Sequence, residues 1–247
     1  MDAPSTGAAD GRVIASFHLI RYAGVDAMRH MAFDRPLLRR TGGLSFWRLL
    51  GTGRGRSMSL GADLRRWALF AVWEGEPALE EFLARSPVAA RWEEEAEESW
   101  HVRLAPLGSR GRWGGRDPFA ADPPAAFVRN PGDGPVAVLT RASIRPGRLV
   151  AFYRSVPGVD RELRRDGGCL ASIGVGEWPL ARQATFSLWD DDTAVTRFAY
   201  RAGAHRAVIG RVRSEDWYAE EMFARFTPYA SRGTWDGHDP LRARRTG

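Results

Sequence analysis

The sequence predicts an α+β fold in which two tandem ferredoxin-like (βαββαβ) repeats form a dimeric α+β barrel within one chain. The main observation is an internal repeat: SRGRWGGRDPF at 109–119 recurs as SRGTWDGHDPL at 231–241, with seven of eleven positions identical. A second match, 116 residues apart, relates FAVW at 70–73 to FSLW at 186–189. A duplication therefore determines the architecture.

The elements of the first copy follow from its hydrophobic periodicity. Residues rich in β-formers predict strands at 13–20, 44–50, 66–73 and 100–107. Apolar residues at helical spacing predict a helix over 25–34 that ends before Pro36, and a helical region from Pro77 to about Glu98. The order β-α-β-β-α-β is that of the ferredoxin-like unit.

The second copy repeats this order. Its predicted strands are 135–142, 169–175, 183–189 and 221–229, and its predicted helices are 149–156 and 193 to about 212. Aligning Gly51-Thr-Gly53 with Gly174-Val-Gly176 extends the match between the copies. We expect a first repeat at 12–119, a Pro- and Gly-containing linker at 120–134 and a second repeat at 135–241. Each repeat has one sheet face without helices, and two repeats in one chain can cover each other.

The composition excludes several functional classes. All 36 basic residues are arginine, so Schiff-base chemistry on lysine and a Walker-type phosphate loop are excluded. The single cysteine, Cys169, excludes an internal disulfide framework. The most apolar stretch, 67–73, is too short to span a membrane. These two features favour a cytoplasmic protein. Because the arginines are scattered among carboxylates, we expect no nucleic-acid binding despite the net charge of +6.

Among the five histidines, His205 is the one that stands out. Val208, Ile209 and Val212 follow it at i+3, i+4 and i+7, so the pattern predicts a side chain on the interior face of a helix. A core histidine explains this pattern as well as a ligand does. The corresponding position of the first copy is Ala89, which cannot ligate, so one repeat differs from the other at this point. The remaining histidines and the cysteine are predicted to be structural or exposed: His18, His30, His101, His238 and Cys169.

Four segments together resemble the spheroidene monooxygenase family, the acyclic carotenoid ketolases. They are SFWRLLGTGRG at 45–55, GVGEWPL at 174–180 leading to QATFSLW at 183–189, HRAVI at 205–209 and GTWDG at 233–237. The resemblance extends from about residue 12 to residue 241 and implies a haem protein of the dimeric α+β barrel type. In related haem enzymes of this architecture, a histidine on the helix after the third strand of one unit holds the iron, and His205 occupies that place.

The resemblance therefore implies haem b in the second repeat, with His205 as the metal ligand. Arginine forms bidentate bonds with carboxylates, and Arg182 and Arg54 are the expected contacts to the propionates or to the distal side. We expect a haem-dependent monooxygenase-like enzyme that oxidises a hydrophobic or specialised-metabolism small molecule, as a monomer or homodimer, with an external electron donor. The alternatives are a haem-dependent dehydratase or another non-oxygenase reaction of the aldoxime dehydratase kind, a haem-binding protein without turnover, and a barrel that binds an apolar ligand with no metal.

Overall fold

The computed structural model describes residues 12–53, 61–120, 134–178, 182–201, 208, 210–212 and 214–242. The strands of the first half are β1 (Ile14–Tyr22), β2 (Leu44–Gly53), β3 (Ala62–Trp73) and β4 (Ala96–Gly111). Its helices are α1 (His30–Arg39), α2 (Glu76–Arg85) and α3 (Pro87–Glu95), with a short 3-10 helix at Val25–Arg29 before α1. The second half contains β5 (Val136–Ile144), β6 (Cys169–Trp178), β7 (Arg182–Trp189) and β8 (Tyr218–Gly233), with α4 (Leu149–Arg165) and α5 (Asp192–Arg201).

The eight strands form one closed antiparallel barrel in the order β1-β3-β2-β6-β7-β5-β8-β4. Each half contributes four neighbouring strands in the ferredoxin-like order, β4-β1-β3-β2 and β8-β5-β7-β6. The halves meet at two unequal seams: β4 and β8 pair over eleven residue pairs, whereas β2 and β6 pair only at Gly51–Gly176 and Thr52–Val175. The predicted α+β class and intrachain barrel are confirmed.

The inside of the barrel is a packed hydrophobic core. Phe17 of β1 stacks on Phe186 of β7 across the barrel, with ring centroids 4.0 Å apart and planes 6° from parallel. The repeated Trp-containing segments form the same turn in both halves: Trp113 N donates to the Arg116 carbonyl and Trp235 N to the His238 carbonyl, both at 2.8 Å. Both tryptophans are buried against this core. The repeated segments therefore have the same structural role in both halves.

Two prolines lie inside helices, contrary to the sequence prediction. The expectation that the first helix ends before Pro36 was wrong, because α1 continues to Arg39. Likewise α4 continues through Pro157 to Arg165 instead of ending near 156. Both helices bury leucines beyond the proline, Leu38 and Leu163, and this burial outweighs the local cost of a proline in a helix.

The last strand of each half is longer than predicted. The helical region expected to reach Glu98 is two helices, since Ser86 ends α2 and its Oγ accepts from Val88 N at 3.2 Å to cap α3. Strand β4 then begins at Ala96, where it pairs with Tyr22 of β1. Pairing between β4 and β8 holds both as strands of 16 residues, and a single-sequence pattern does not reveal such pairing.

The strand register also corrects one alignment between the copies. Gly51 pairs with Trp67 in the first half, and Gly176 pairs with Gln183 in the second. Because Trp67 and Gln183 are equivalent by the 116-residue spacing, the counterpart of Gly51 is Gly176. The match of Gly51 with Gly174 was therefore wrong by two residues, owing to the short repeat of glycines in both strands.

Candidate functional site

The helices cover one face of each half-sheet, and in the first half this helix-facing layer is filled. Thirteen buried residues form one continuous cluster there, among them Ile20, Leu49 and Leu69. The cavity lined by Ile20 and Leu69 has a volume of about 20 Å³, enough for about one water molecule, and a larger cavity lies at the edge of the layer, between α1 and the beginning of β2. The helix-facing layer of the first half is therefore ordinary core.

The equivalent layer of the second half is divided. Among the described residues it contains two separate clusters, one around Trp189 and Phe198 and one around Phe152 and Trp217. The strand positions between these clusters carry short side chains, whereas their counterparts in the first half are large. We call this surface the recessed face and define it by Thr140, Ala142, Gly174 and Thr185.

The strand register makes the contrast explicit. In the first half, a row across neighbouring strands runs His101, His18, Leu69, Leu49. In the second half the equivalent row runs Phe223, Thr140, Thr185, Gly174. The next row replaces the Ile20–Trp67 pair with Ala142–Gln183.

Exposure follows the contrast in part. His18 is 1% exposed, whereas Thr140 in the middle of β5 is exposed and Thr185 is half-buried. Ala142 and Gly174 are buried, as their counterparts are. The short side chains make the recessed face a candidate position for a flat ligand between sheet and helices.

Of the three predicted site residues, the structure describes one. His205 and Arg54 lie outside the described residues. Arg182 is exposed at the start of β7 and pairs through the backbone with Ser143 of β5. It alternates with Gln183 and shares the inward side of the strand with Ala184, so it lies at the rim of the barrel.

The other histidines and the cysteine have the structural roles that were expected. Cys169 is buried, and His238 is exposed in its turn. His30 lies between α1 and the end of α3, with Nε2 2.9 Å from Glu95 Oε2. His18 and His101, which were considered separately, form a pair.

In this histidine pair, the two Nδ1 atoms are 2.9 Å apart. His18 Nε2 lies 2.8 Å from Ser16 Oγ, which accepts from Trp73 Nε1 at 2.9 Å. Burial lowers the pKa of His18 well below its usual value, and the nearby His101 lowers it further. Burial, together with Arg232, lowers the pKa of His101 to about 4. The sequence signal for this pair would have been a histidine on each of two strands that face each other in the ferredoxin-like order.

A second polar cluster that sequence reasoning missed closes one mouth of the barrel. Arg141, 3% exposed, forms ion pairs with Glu220 and, at 3.9 Å, with Glu177. Arg48 Nε donates to Glu177 at 2.7 Å, and Trp113 Nε1 donates to the same carboxylate at 2.9 Å. The signal was Arg141 itself, since an arginine at an inward position of an apolar strand requires a buried partner.

The described residues contain no cluster of three side chains able to hold a metal ion. No helix within the described part of the chain has the length and apolar character needed to cross a membrane. Within the described residues, the candidate site is the recessed face.

Solved structures with the same architecture identify the class of the protein. An aldoxime dehydratase in complex with butyraldoxime superimposes with a TM-score of 0.62 at 9% identity, covering 94% of this chain and 85% of that one. A second aldoxime dehydratase gives a TM-score of 0.57 at 14% identity, covering 87% and 81%. At these identities the likeness concerns the fold, and it makes this chain a dimeric α+β barrel protein.

Curated relatives identify the family. A spheroidene monooxygenase of Rhodobacter capsulatus is 34% identical over 235 residues, 94% of this chain and 96% of that protein. One of Rubrivivax gelatinosus is 38% identical over 209 residues, 85% and 78% of the two chains. No protein-family model matches the sequence. The chain belongs to the spheroidene monooxygenase family and is an oxidoreductase with an oxygenase-like function, as the sequence resemblance predicted.

Proposed function

We propose that this enzyme is a haem-dependent monooxygenase that oxidises a hydrophobic small molecule, with haem b on the recessed face and His205 as its iron ligand. The observation that carries the proposal is the contrast between the filled helix-facing layer of the first half and the recessed face of the second. A duplicated fold that fills this layer once and leaves short side chains in its other copy supports a ligand site in that copy.

The residues of the recessed face fit a flat, mostly apolar group. Its row Thr140, Thr185, Gly174 crosses three neighbouring strands without a large side chain. Apolar clusters border it at both ends, with Trp189 in one and Trp217 in the other. Such a floor with apolar walls suits a macrocycle better than a strongly hydrated ligand.

The sequence pattern supports His205 as the ligand. It shares a helical stripe with Val208 and Val212, and those two valines pack against the cluster around Trp217 that borders the recessed face. Neutral imidazole is a common axial ligand of haem iron. In the first copy Ala89, 4% exposed, stands at the equivalent position within a filled layer.

Arg182 and Arg54 are our candidates for the propionate or distal contacts. Arg66, the counterpart of Arg182 in the first half, is engaged with Glu98 at 3.4 Å and with Asp236 at 2.5 Å. Arg182 is exposed and forms no ion pair with a described residue, so its guanidinium is available to a carboxylate at the rim. Arg54 is proposed from the sequence resemblance alone.

When bound, haem would supply redox chemistry at its iron, which His205 would hold. The chain's own contribution is to orient the group through His205 and the rim arginines and to keep water from the apolar walls of the site. Oxygenation also requires electrons from outside, because a single cysteine cannot build an iron–sulfur centre. We therefore propose an external electron donor as partner.

A second candidate function is a reaction without oxygen insertion. The fold neighbours with TM-scores of 0.62 and 0.57 are named aldoxime dehydratases, so this architecture also supports dehydration. Turnover assays with and without oxygen and reductant separate the two. A monooxygenase requires both, whereas a dehydratase turns over without oxygen.

The first test of the haem site is spectroscopic. Purified protein titrated with haem is expected to show a Soret band whose form changes in H205A, because the axial imidazole is lost. A wild-type protein that takes up no haem overturns the proposal. An unchanged spectrum in H205A overturns the ligand assignment.

The second test fills the recessed face with the residues of the first half. A142I/T185L introduces the counterparts Ile20 and Leu69, and we expect haem affinity to fall at least about tenfold while the fold remains intact by circular dichroism. The matched control H238R introduces the counterpart Arg116 at an exposed turn and should leave haem affinity unchanged. Wild-type affinity in A142I/T185L would rule out haem on this face.

A further inference from the structure

A separate cavity of about 380 Å³ lies in the first half, between α1 and the beginning of β2. Four arginines line it, Arg35 and Arg39 from α1, Arg48 from β2 and Arg116 from the repeated turn, against the single carboxylate of Glu177. The rest of its wall includes Leu44, Phe46 and Trp47. A cavity of this size holds a small organic molecule, and its walls combine a strong positive charge with an apolar surface.

Two of these arginines are placed together at an energetic cost. Arg35 and Arg39 are four residues apart, on one face of α1, where like charges destabilise a helix. Both are exposed, and neither forms an ion pair with a carboxylate of the described residues. Their repulsion is thus uncompensated within that part of the chain, and a bound anion would relieve it.

Arg48 contributes charge but few free donors. Its Nε donates to Glu177 at 2.7 Å, and its terminal nitrogens donate to the carbonyls of Trp47 at 2.8 Å and Trp113 at 3.1 Å. Burial lowers the pKa of Arg48, and the like charges of Arg141 and Arg116 lower it further against the opposing effect of Glu177. The wall of the cavity is therefore electropositive even after its one carboxylate is counted.

A backbone donor of β2 adds to this wall. Strand β6 pairs with β2 only at Gly51 and Thr52, so the earlier part of β2 has an edge without a β6 partner. The carbonyls of Ser45 and Trp47 face this edge, because they accept from Arg116 and Arg48. In an extended strand the N–H of a residue points to the same side as its carbonyl, so the N–H of Trp47 also points toward the cavity.

We propose that this cavity binds an organic phosphate, with the phosphate held by Arg35, Arg39 and Arg116 and the organic part against Trp47 and Phe46. Three guanidinium forks offer more donors than the two oxygens of one carboxylate can accept, whereas a phosphate or diphosphate has enough oxygens and charge to engage them all.

The second half does not share this arrangement. By strand register the counterpart of Arg48 is Ile173, since they pair with the equivalent Phe70 and Phe186. Arg116 corresponds to His238 in the repeated turn. The arginines are thus specific to the first half and are not required by the duplicated fold. The cavity is also distinct from the recessed face, so its ligand is independent of haem.

The test uses pyrophosphate as the probe and isothermal titration calorimetry at constant ionic strength on the purified full-length protein. We expect saturable binding to wild type that weakens at least about tenfold in R35Q/R39Q, since two charge-assisted contacts are lost. The matched control R29Q/R40Q removes two exposed arginines near the ends of the same helical segment, outside the cavity, and should change affinity less than about twofold.

Three outcomes overturn the proposal: no pyrophosphate binding by wild type, equal loss of affinity in both double variants, or citrate binding as tightly as pyrophosphate. The second outcome would indicate a general field of arginines, and the third a site for carboxylates. H205A should bind pyrophosphate as wild type does. A failure of the haem proposal therefore leaves this test intact.

Discussion

The buried pair His18–His101 should make the folded protein sensitive to mild acid. Trp73 donates to Ser16 Oγ, so the Ser16 hydroxyl hydrogen is free to donate to His18 Nε2, and His18 can then donate from Nδ1 to His101 Nδ1. This chain is satisfied with both imidazoles neutral. A proton added at His101 Nδ1 would repel the proton on His18 Nδ1, because the two nitrogens are 2.9 Å apart. Burial of the pair also disfavours the charged imidazole.

The magnitude follows from proton linkage. A histidine whose folded-state pKa is lowered stabilises the fold above its usual pKa of 6.5 and loses this contribution as the pH falls toward the folded-state value. For His101 that value is about 4, so acidification from pH 6.5 to 4 removes about 3 kcal/mol from the free energy of unfolding. His18, whose pKa is also lowered, adds a loss of the same sign.

The assay is urea unfolding of wild type and H101F at several pH values between 4.5 and 7.5. Phenylalanine is the natural choice because Phe223 occupies the equivalent position in the second half. The variant loses one titrating group, so the slope of unfolding free energy against pH should decrease by about 1.4 kcal/mol per pH unit below pH 6.5. H238F, at an exposed histidine, is the control and should keep the wild-type slope. Equal slopes in wild type and H101F would refute the reasoning.

Two further predictions concern the ends of the barrel. Gly233 has φ +86°, and an added Cβ would overlap with the carbonyl oxygen of Ser99. We therefore expect G233A to lower the free energy of unfolding, measured by chemical denaturation, by at least about 2 kcal/mol. The control G147A, at an open position, should have little effect. W113A should lower the free energy of unfolding by about 3–5 kcal/mol, because it removes a fully buried ring and the hydrogen-bond donor to Glu177. A decrease below about 1 kcal/mol would show that Trp113 does not close the barrel.

The duplication could be recognised from the sequence because short segments of the two copies are identical at many positions. The Trp113 and Trp235 segments are identical at seven of eleven positions, and their turns are the same in three dimensions. A repeated βαββαβ order has few ways to cover its bare sheet faces, so the barrel followed from the repeat. The ends of individual elements could not be predicted in the same way. Burial of Leu38 allows α1 to continue past Pro36, and the pairing of β4 with its partner strands determines where α3 ends.

The candidate site was less accessible to sequence reasoning. The recessed face is defined by residues that are neighbours only through strand pairing, such as Thr140 with Thr185 and Thr185 with Gly174. Single threonines and glycines in strands do not indicate a ligand site until the strand register shows that they are neighbours. The alignment error of two residues at Gly51 shows that sequence similarity between the copies does not supply this register either. His205 could be singled out because it differs in chemistry from Ala89, but its role stays a prediction.

Among the described residues, the first half buries more apolar side chains in its helix-facing layer than the second half does. Burial of Ile20 and Leu69 in the first half contributes about 1.5–3 kcal/mol per side chain, a contribution that Ala142 and Thr185 cannot match in the second. The eleven residue pairs between β4 and β8 connect the halves in one sheet, so the filled half can stabilise a fold whose other half keeps room for a ligand. It follows that A142I/T185L should unfold at a higher temperature than ligand-free wild type while binding haem more weakly. If it lost both stability and haem binding, the recessed face would be a tightly packed layer with no room to fill.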